Sequence, residues 1–116
     1  MHFKLIIIMV EDARSKDVIE AAREAGATGC TLLDRARGEG ISPASTFFGL
    51  SVDSQVDVIL LLAEEHLSRE ILEHVAKVGE FDESPGAGIA IQVDVEDAIG
   101  VRHQIAKLSE QVEDRI

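Results

Sequence analysis

Two kinds of apolar pattern run along the chain. Leu5–Val10 and Val58–Ala63 are unbroken apolar runs, each closed by an acid, Glu11 or Glu64. Runs of this length suit strands with little solvent on either face. Behind each run, apolar residues recur at helical spacing: Val18, Ala22 and Ala25 after the first, Leu72, Val75 and Ala76 after the second. A further strand is predicted over Gly29–Arg37. Another, Ile89–Val95, alternates, which predicts Ile89, Ile91, Val93 and Val95 inward and Ala90, Gln92 and Asp94 outward. Arg102–Arg115 carries Ile105, Leu108 and Val112 and reads as a short amphipathic helix, a lid or an oligomer arm.

The chain repeats itself once. Residues 4–26 lie over residues 57–79 without a gap: Ile6 falls on Ile59, Glu11 on Glu64, Ser15 on Ser68, Glu20 on Glu73 and Gly26 on Gly79. Ser15 and Ser68 are expected as helix N-caps, because a hydroxyl there accepts from an orphan amide. Leu67 and Leu72 then sit at the staple positions. Gly26 and Gly79 are expected to take the left-handed conformation that ends a helix. Two βαβ units in tandem predict an α+β, ferredoxin-like βαββαβ fold: a four-stranded antiparallel sheet with both helices on one face, plus the short C-terminal helix. The other face of that sheet is bare and apolar, which predicts a homo-oligomer that buries it.

Composition narrows the function. With 116 residues, one domain is the natural reading, and 46% apolar residues can build a core. That core is aliphatic, since the chain holds four Phe and no Trp or Tyr. Twenty-two acids against 11 bases leave a net charge of −11, which repels duplex DNA and anionic membranes. No nucleic-acid partner and no direct membrane insertion are expected. Cys30 is the single cysteine, so no intramolecular disulfide forms. The opening apolar run is too short for a signal peptide, and the expected location is the cytoplasm.

The stretch KLIIIMVEDARSKDVIEAAREAGATGCTLLDRARGEG resembles the opening of the PII (nitrogen-regulatory P-II) signal-transduction family. The family's G-x-T-G-x-T turn is matched by Gly26-Ala27-Thr28-Gly29-Cys30-Thr31, and its glycine-rich loop by Gly38-Glu39-Gly40. Its G-D-G-K-I-F-V stretch lines up with Gly86 to Gln92, and the run after it with Val95-Glu96-Asp97-Ala98-Ile99. The resemblance covers residues 4 to about 102. It implies a homotrimer with the sheets facing inward, and adenine-nucleotide sites in the clefts between subunits. It also implies a T-loop that docks on target proteins, often transporters or enzymes. The family-like unit is expected over residues 1–101, with the T-loop at about 38–56 and a tail over 102–116. The site residues implied are Met9, Gly29, Cys30, Thr31, Gly38, Glu39, Gly40, Leu61, Pro85, Gly86, Ala87, Gly88, Ile89 and Arg102. T-loop contact with a target falls to Phe47, Phe48 and Leu50.

The chain departs from the family in three places. The lysine of the G-D-G-K motif falls on Ile89 and its aspartate on Ala87. Of two phosphate-flanking arginines, one position is Gly100 and the other Arg102. The T-loop is shorter and holds no tyrosine, which excludes uridylylation there. A charge-assisted hydrogen bond is worth about 1.5–3 kcal/mol, so losing two forfeits roughly 3–6 kcal/mol, about two to four decades of affinity. AMP or ADP, held by the adenine pocket and backbone amides, is therefore expected over ATP. Arg102, with Arg35 or Arg37, supplies the remaining positive charge. No metal is expected, and the altered loop argues against a 2-oxoglutarate site.

Several features have two readings. Gly86-Ala87-Gly88 is an anion cradle or a tight turn. Thr28-Gly29-Cys30-Thr31 meets an adenine edge or is a helix-to-strand turn with a small buried thiol. Phe47-Phe48 either folds back on its own trimer or plugs into a partner. Glu64-Glu65-His66, with Glu70 and His74, is read as solvated surface rather than a metal site. Asp53 and Asp57 are read as solvating the loop's return, and His2 and His103 have no evident partners. No catalytic constellation is visible, so the chain is read as no enzyme. The alternatives are an ACT-like amino-acid sensor, which would be a dimer, a small dimeric enzyme, for which Leu5–Val10 and Val58–Ala63 offer no polar group, and a trimeric scaffold whose nucleotide site has decayed.

Overall fold

The computed structural model of the chain describes residues 1–36, 46–47, 50–51 and 56–115. Strand β1 (Phe3–Glu11) leads through a 3-10 turn (Asp12–Arg14) into helix α1 (Ser15–Glu24) and strand β2 (Thr31–Ala36). Two short strands, β3 (Thr46–Phe47) and β4 (Leu50–Ser51), pair with each other. Strand β5 (Val56–Glu64), helix α2 (Glu65–Val78), strand β6 (Gly88–Asp94) and helix α3 (Arg102–Arg115) complete the order. The main sheet runs β2-β5-β1-β6, with every neighbouring pair antiparallel. This is the ferredoxin-like fold expected from the repeat.

The two faces of the sheet are set by register. Ile6, Ile8 and Val10 of β1 and Ile59, Leu61 and Ala63 of β5 are buried, and they pack with Val18, Ala21 and Ala22 of α1 and Leu67, Ile71 and Val75 of α2. The intervening residues of β1 point the other way. Leu5, Ile7 and Met9 pair with Leu62, Leu60 and Val58 on one side and with Val93, Ile91 and Ile89 on the other. Neither α1 nor α2 covers that grid of nine apolar side chains, Gln104 of α3 approaches it only at Leu5, Leu60 and Leu62, and all nine are half-buried or exposed. Covering it would stabilise an assembly by several kcal/mol, on the order of 1.5–3 kcal/mol for each side chain fully buried.

Strand β6 therefore corrects the predicted alternation. Ala90, not Ile89 or Ile91, faces the helices and packs on the core, while Ile91 and Val93 are 40% and 46% exposed. The large residues belong to the bare face, beside Leu5, Ile7 and Met9 of β1.

The helix starts also differ from expectation. Helix α1 begins at Ser15 itself, with Arg14 in the capping position, because the 3-10 turn delivers the chain already wound. Ser15 is buried and donates its hydroxyl to the Asp57 carboxylate. Asp57, expected to be solvated, is 4% exposed and ties the return of the loop to the start of α1. Helix α2 begins three residues before Ser68, because β5 runs straight into it. Its cap is Glu64, whose Oε2 accepts from the His66 amide at 2.8 Å. Ser68 lies inside the helix and donates to the Glu65 carbonyl at 3.1 Å, and Leu67 is core, so the staple is absent. Glu64 is thus a buried capping acid rather than solvated surface. His2 finds a partner as well, with Nε2 lying 3.3 Å from Asp94 Oδ1.

Both helices end in one motif, offset by a residue. At α1 the Ala27 amide donates to the Ala22 carbonyl and the Gly26 amide to that of Arg23, with Gly26 left-handed at φ 118°. At α2 the Phe81 amide donates to the Ala76 carbonyl and the Glu80 amide to that of Lys77. The left-handed residue is consequently Glu80 (φ 55°), while the expected Gly79 keeps a helical φ of −79°. A side chain in that region costs about 1–2 kcal/mol. Arg14 offsets part of this by donating to both the Gly79 carbonyl and the Glu80 carboxylate at 2.9 Å.

These polar contacts yield two predictions. Replacing Ser15 by Ala leaves the buried Asp57 carboxylate short of a donor, and urea unfolding at fixed protein concentration is expected to show a loss of about 1–3 kcal/mol. The second concerns His66, whose Nδ1 lies 2.6 Å from Glu64 Oε1. Hydrogen bonding to Glu64, and then its charge, raise the His66 pKa above the ordinary value. A raised pKa stabilises the fold fully below the unfolded-state value of about 6.5 and less as pH rises through the folded-state value. The unfolding temperature of the natural chain minus that of His66→Gln should therefore shrink as pH rises from about 6.5 through the raised folded-state value.

Candidate functional site

Strand β2 starts from the turn that the left-handed Gly26 opens, and this turn forms one wall of a groove of about 370 Å³. Thr28, Gly29, Cys30 and Thr31 line it with Leu5, Leu60, Leu61 and Leu62 of the sheet and Gln104 of α3. None of these residues is charged, although the chain as a whole carries −11. The groove thus offers apolar surface with neutral donors and acceptors, chemistry suited to a flat heterocycle. Cys30 is exposed rather than the small buried thiol expected of a plain turn. Gln104 was not legible as a site residue, because its approach depends on where α3 lies.

The second cluster opens β6. Gly86 is left-handed (φ 80°), and Ala87 is buried. The Ala87 amide donates to the Ser84 carbonyl at 3.1 Å, and its carbonyl accepts from the Glu11 amide at 3.3 Å. This turn is therefore closed by its own backbone, with one of its amides already engaged. Pro85, exposed, leads into it. Gly88 and Ile89 line a second groove, of about 400 Å³, between β6 and α2. Arg69 and Lys77 bring two positive charges to it, and Glu73, Asp82 and Glu83 bring three negative ones. Arg69 is already paired with Glu73 at 2.9 Å. That balance gives an anion no net attraction, in line with the missing lysine at Ile89. Met9 lies beside Ile89 on the bare face of the sheet.

Other expected residues are scattered. Arg102 is exposed at the start of α3, after the left-handed Gly100. Gly38, Glu39, Gly40, Arg37, Phe48 and Asp53 lie outside the described residues, and Phe47 and Leu50 are described in backbone only. Glu64, Glu65 and His66 offer ligand atoms within 4.8 Å of one another, but His66 already engages both carboxylate oxygens of Glu64.

The placement of the two clusters is decisive. Thr31 opens β2 at one edge of the sheet and Gly88 opens β6 at the other. The groove at Thr31 reaches across β5 to Leu5 of β1, but Leu5 pairs with Val93, five residues along β6 from Gly88, so within one chain the Gly86–Gly88 turn does not line that groove. A second copy can bring the Gly86–Gly88 turn to the Thr28–Thr31 groove.

Among the described residues, no helix is long and apolar enough to cross a membrane. No curated protein matches the chain. Among solved structures, the chain is similar to CPII of Thiomonas intermedia K12 bound to ADP, AMP and acetate. The TM-score is 0.67 at 20% identity, over 86% of this chain and 92% of that one. CPII bound to ADP and bicarbonate gives a TM-score of 0.61 at 22% identity, over 82% and 87%. A protein of Thermus thermophilus described as PII-like and signaling, TTHA0516, gives 0.60 at 25% identity, over 82% and 87%. The family model of nitrogen regulatory protein P-II matches residues 3–104, nearly the whole sheet-and-helix unit, and the chain belongs to that family of signalling regulators.

Proposed function

We propose that the chain is a homotrimeric PII-like regulator that binds an adenine nucleotide between subunits, AMP or ADP in preference to ATP. One observation carries this reading: the two halves of the expected site occupy opposite edges of one sheet whose bare face is apolar. Packing that face around a common axis puts the neutral groove of one copy against the Gly86–Gly88 turn of the next. The ADP and AMP bound to CPII support the choice of ligand. The acidic groove beside Ile89 supports a ligand of lower phosphate charge. The T-loop, at about 38–56, reports the bound state to a target such as a membrane transporter through Phe47, Phe48 and Leu50. In this reading residues 1–101 are the PII-like unit, residues 102–116 a tail, and the working compartment the cytoplasm. Binding moves the loop only as far as the nucleotide contacts its two states differently. No metal and no catalytic step is assigned.

A second reading, a trimeric scaffold with a decayed site, is favoured by the self-closed turn at Ala87. Titration calorimetry with AMP, ADP and ATP separates the two: binding of AMP or ADP supports the regulator, and silence across the panel leaves the scaffold. Sedimentation at micromolar concentration should return three chains, and Ile7→Glu, at the centre of the bare face, should return one. A natural chain that sediments as a monomer or dimer sinks both readings. Ile89→Lys restores the family's cation and is expected to raise ATP affinity by about ten- to a hundredfold over the natural chain.

A further inference from the structure

We propose that Phe81 is the positioning residue of the Gly86–Gly88 turn. The ring lies over Gly79 at the end of α2 and over Gly88 at the start of β6, and so pins both ends of the loop between them. Both positions have room only for hydrogen. A methyl group on Gly79 would meet Phe81 Cδ1 at 2.8 Å, one on Gly88 would meet it at 2.9 Å, and Cε1 lies closer still to each. Real side chains do not approach so near, so ring and glycines fit as a set.

The backbone of the loop is shaped to deliver that ring. The motif ending α2 places the Phe81 amide on the Ala76 carbonyl at 3.0 Å. To do so it forces Glu80, a non-glycine residue, into the left-handed region, where Arg14 holds it. Phe81 is half-buried and packs against the core. From Phe81 the chain runs to Ser84, whose carbonyl takes the Ala87 amide, and then to Gly88 beneath the ring. The ring thus sits between the rigid helix and the turn that meets the nucleotide in the function proposed above. The ligand half of this inference rests on that function.

Gly79 supplies a clean test. Its φ of −79° is one that alanine adopts without strain, and the nearest backbone atom to an added methyl, the Val75 carbonyl oxygen, is at 3.0 Å. Gly79→Ala therefore acts mainly by pushing the ring aside and removes no core atom. In nucleotide-free protein, amide exchange at Ala87 reports the turn, with Ile8 and Ile59 as core references. Phe81→Ala and Gly79→Ala are each expected to speed Ala87 exchange about tenfold while the references stay protected. Phe81→Leu, which refills the space, should restore much of the protection. Adding Gly79→Ala to Phe81→Ala should change Ala87 exchange much less than Gly79→Ala does alone, because the ring is gone and only the contact with the Val75 carbonyl oxygen remains.

The same variants are then titrated with ADP. Phe81→Ala and Gly79→Ala should each bind about tenfold more weakly than the natural chain. Unchanged Ala87 exchange in both variants overturns the inference. Faster exchange with undiminished ADP affinity overturns its ligand half. A natural chain that binds neither ADP nor AMP overturns the proposed function and the ligand half with it, and the exchange data still decide whether Phe81 holds the turn. Should Phe81→Ala fail to fold, Gly79→Ala alone decides, since it leaves the core intact.

Discussion

The structure depends on β1 being apolar on both faces. In a two-layer fold a central strand needs only one greasy face, and here Ile6, Ile8 and Val10 satisfy that need beneath the helices. Leu5, Ile7 and Met9 are then left over, and β5 and β6 match them with six more apolar residues at the same heights. An isolated chain would hold that grid against water. The fold is thus complete as a hydrogen-bonded object and incomplete as a hydrophobic one. The same apolar surface is bounded by the two edge strands, with Thr31 at the start of β2 on one side and Gly88 at the start of β6 on the other.

Charge acts against the same background. At −11 the chain repels anions at a distance, and the groove beside Ile89 and Gly88 adds no local excess of positive charge. The groove at Thr28–Thr31 is neutral. In the function proposed above, the nucleotide gains its binding free energy from its flat apolar base and directed neutral hydrogen bonds, worth about 0.5–1.5 kcal/mol each, more than from its phosphates. The first departure from the family, the lysine replaced by Ile89, fits the surrounding charge balance rather than standing as an isolated loss.

The fold was legible because its signals are periodic. Two aliphatic runs, two helical faces and a gap-free duplication point to the strand and helix order, and the bare face follows from there being two helices for a double-sided sheet. The details that escaped are those set by single atoms. Ser15 and Ser68 look like caps in the sequence, but a 3-10 turn and a strand that runs without a break into a helix move both caps one or more residues upstream. Asp57 looks like loop solvation until register places it beside Ser15. The orientation of β6 hinges on which neighbour Ile89 and Ala90 pair with, and an alternating pattern by itself does not say which face is which. The candidate site was half legible. The glycines and threonines declared it, whereas Gln104 and Phe81 reach it only through tertiary placement.

The duplication shows how a small offset makes new structure. The two copies align Gly26 with Gly79, and both helices close with the same hydrogen-bond motif. In the first copy the glycine takes the left-handed position and the next residue is Ala27, small and undemanding. In the second copy the helix runs one residue further, the left-handed position falls on Glu80, and the residue delivered beyond it is Phe81. Gly79, relieved of its conformational role, keeps its lack of a side chain for another purpose, which is to admit the ring. A motif that merely stops the first helix thus anchors, in the second, a loop that must hold its shape, and the strain at Glu80 is the cost of that added rigidity.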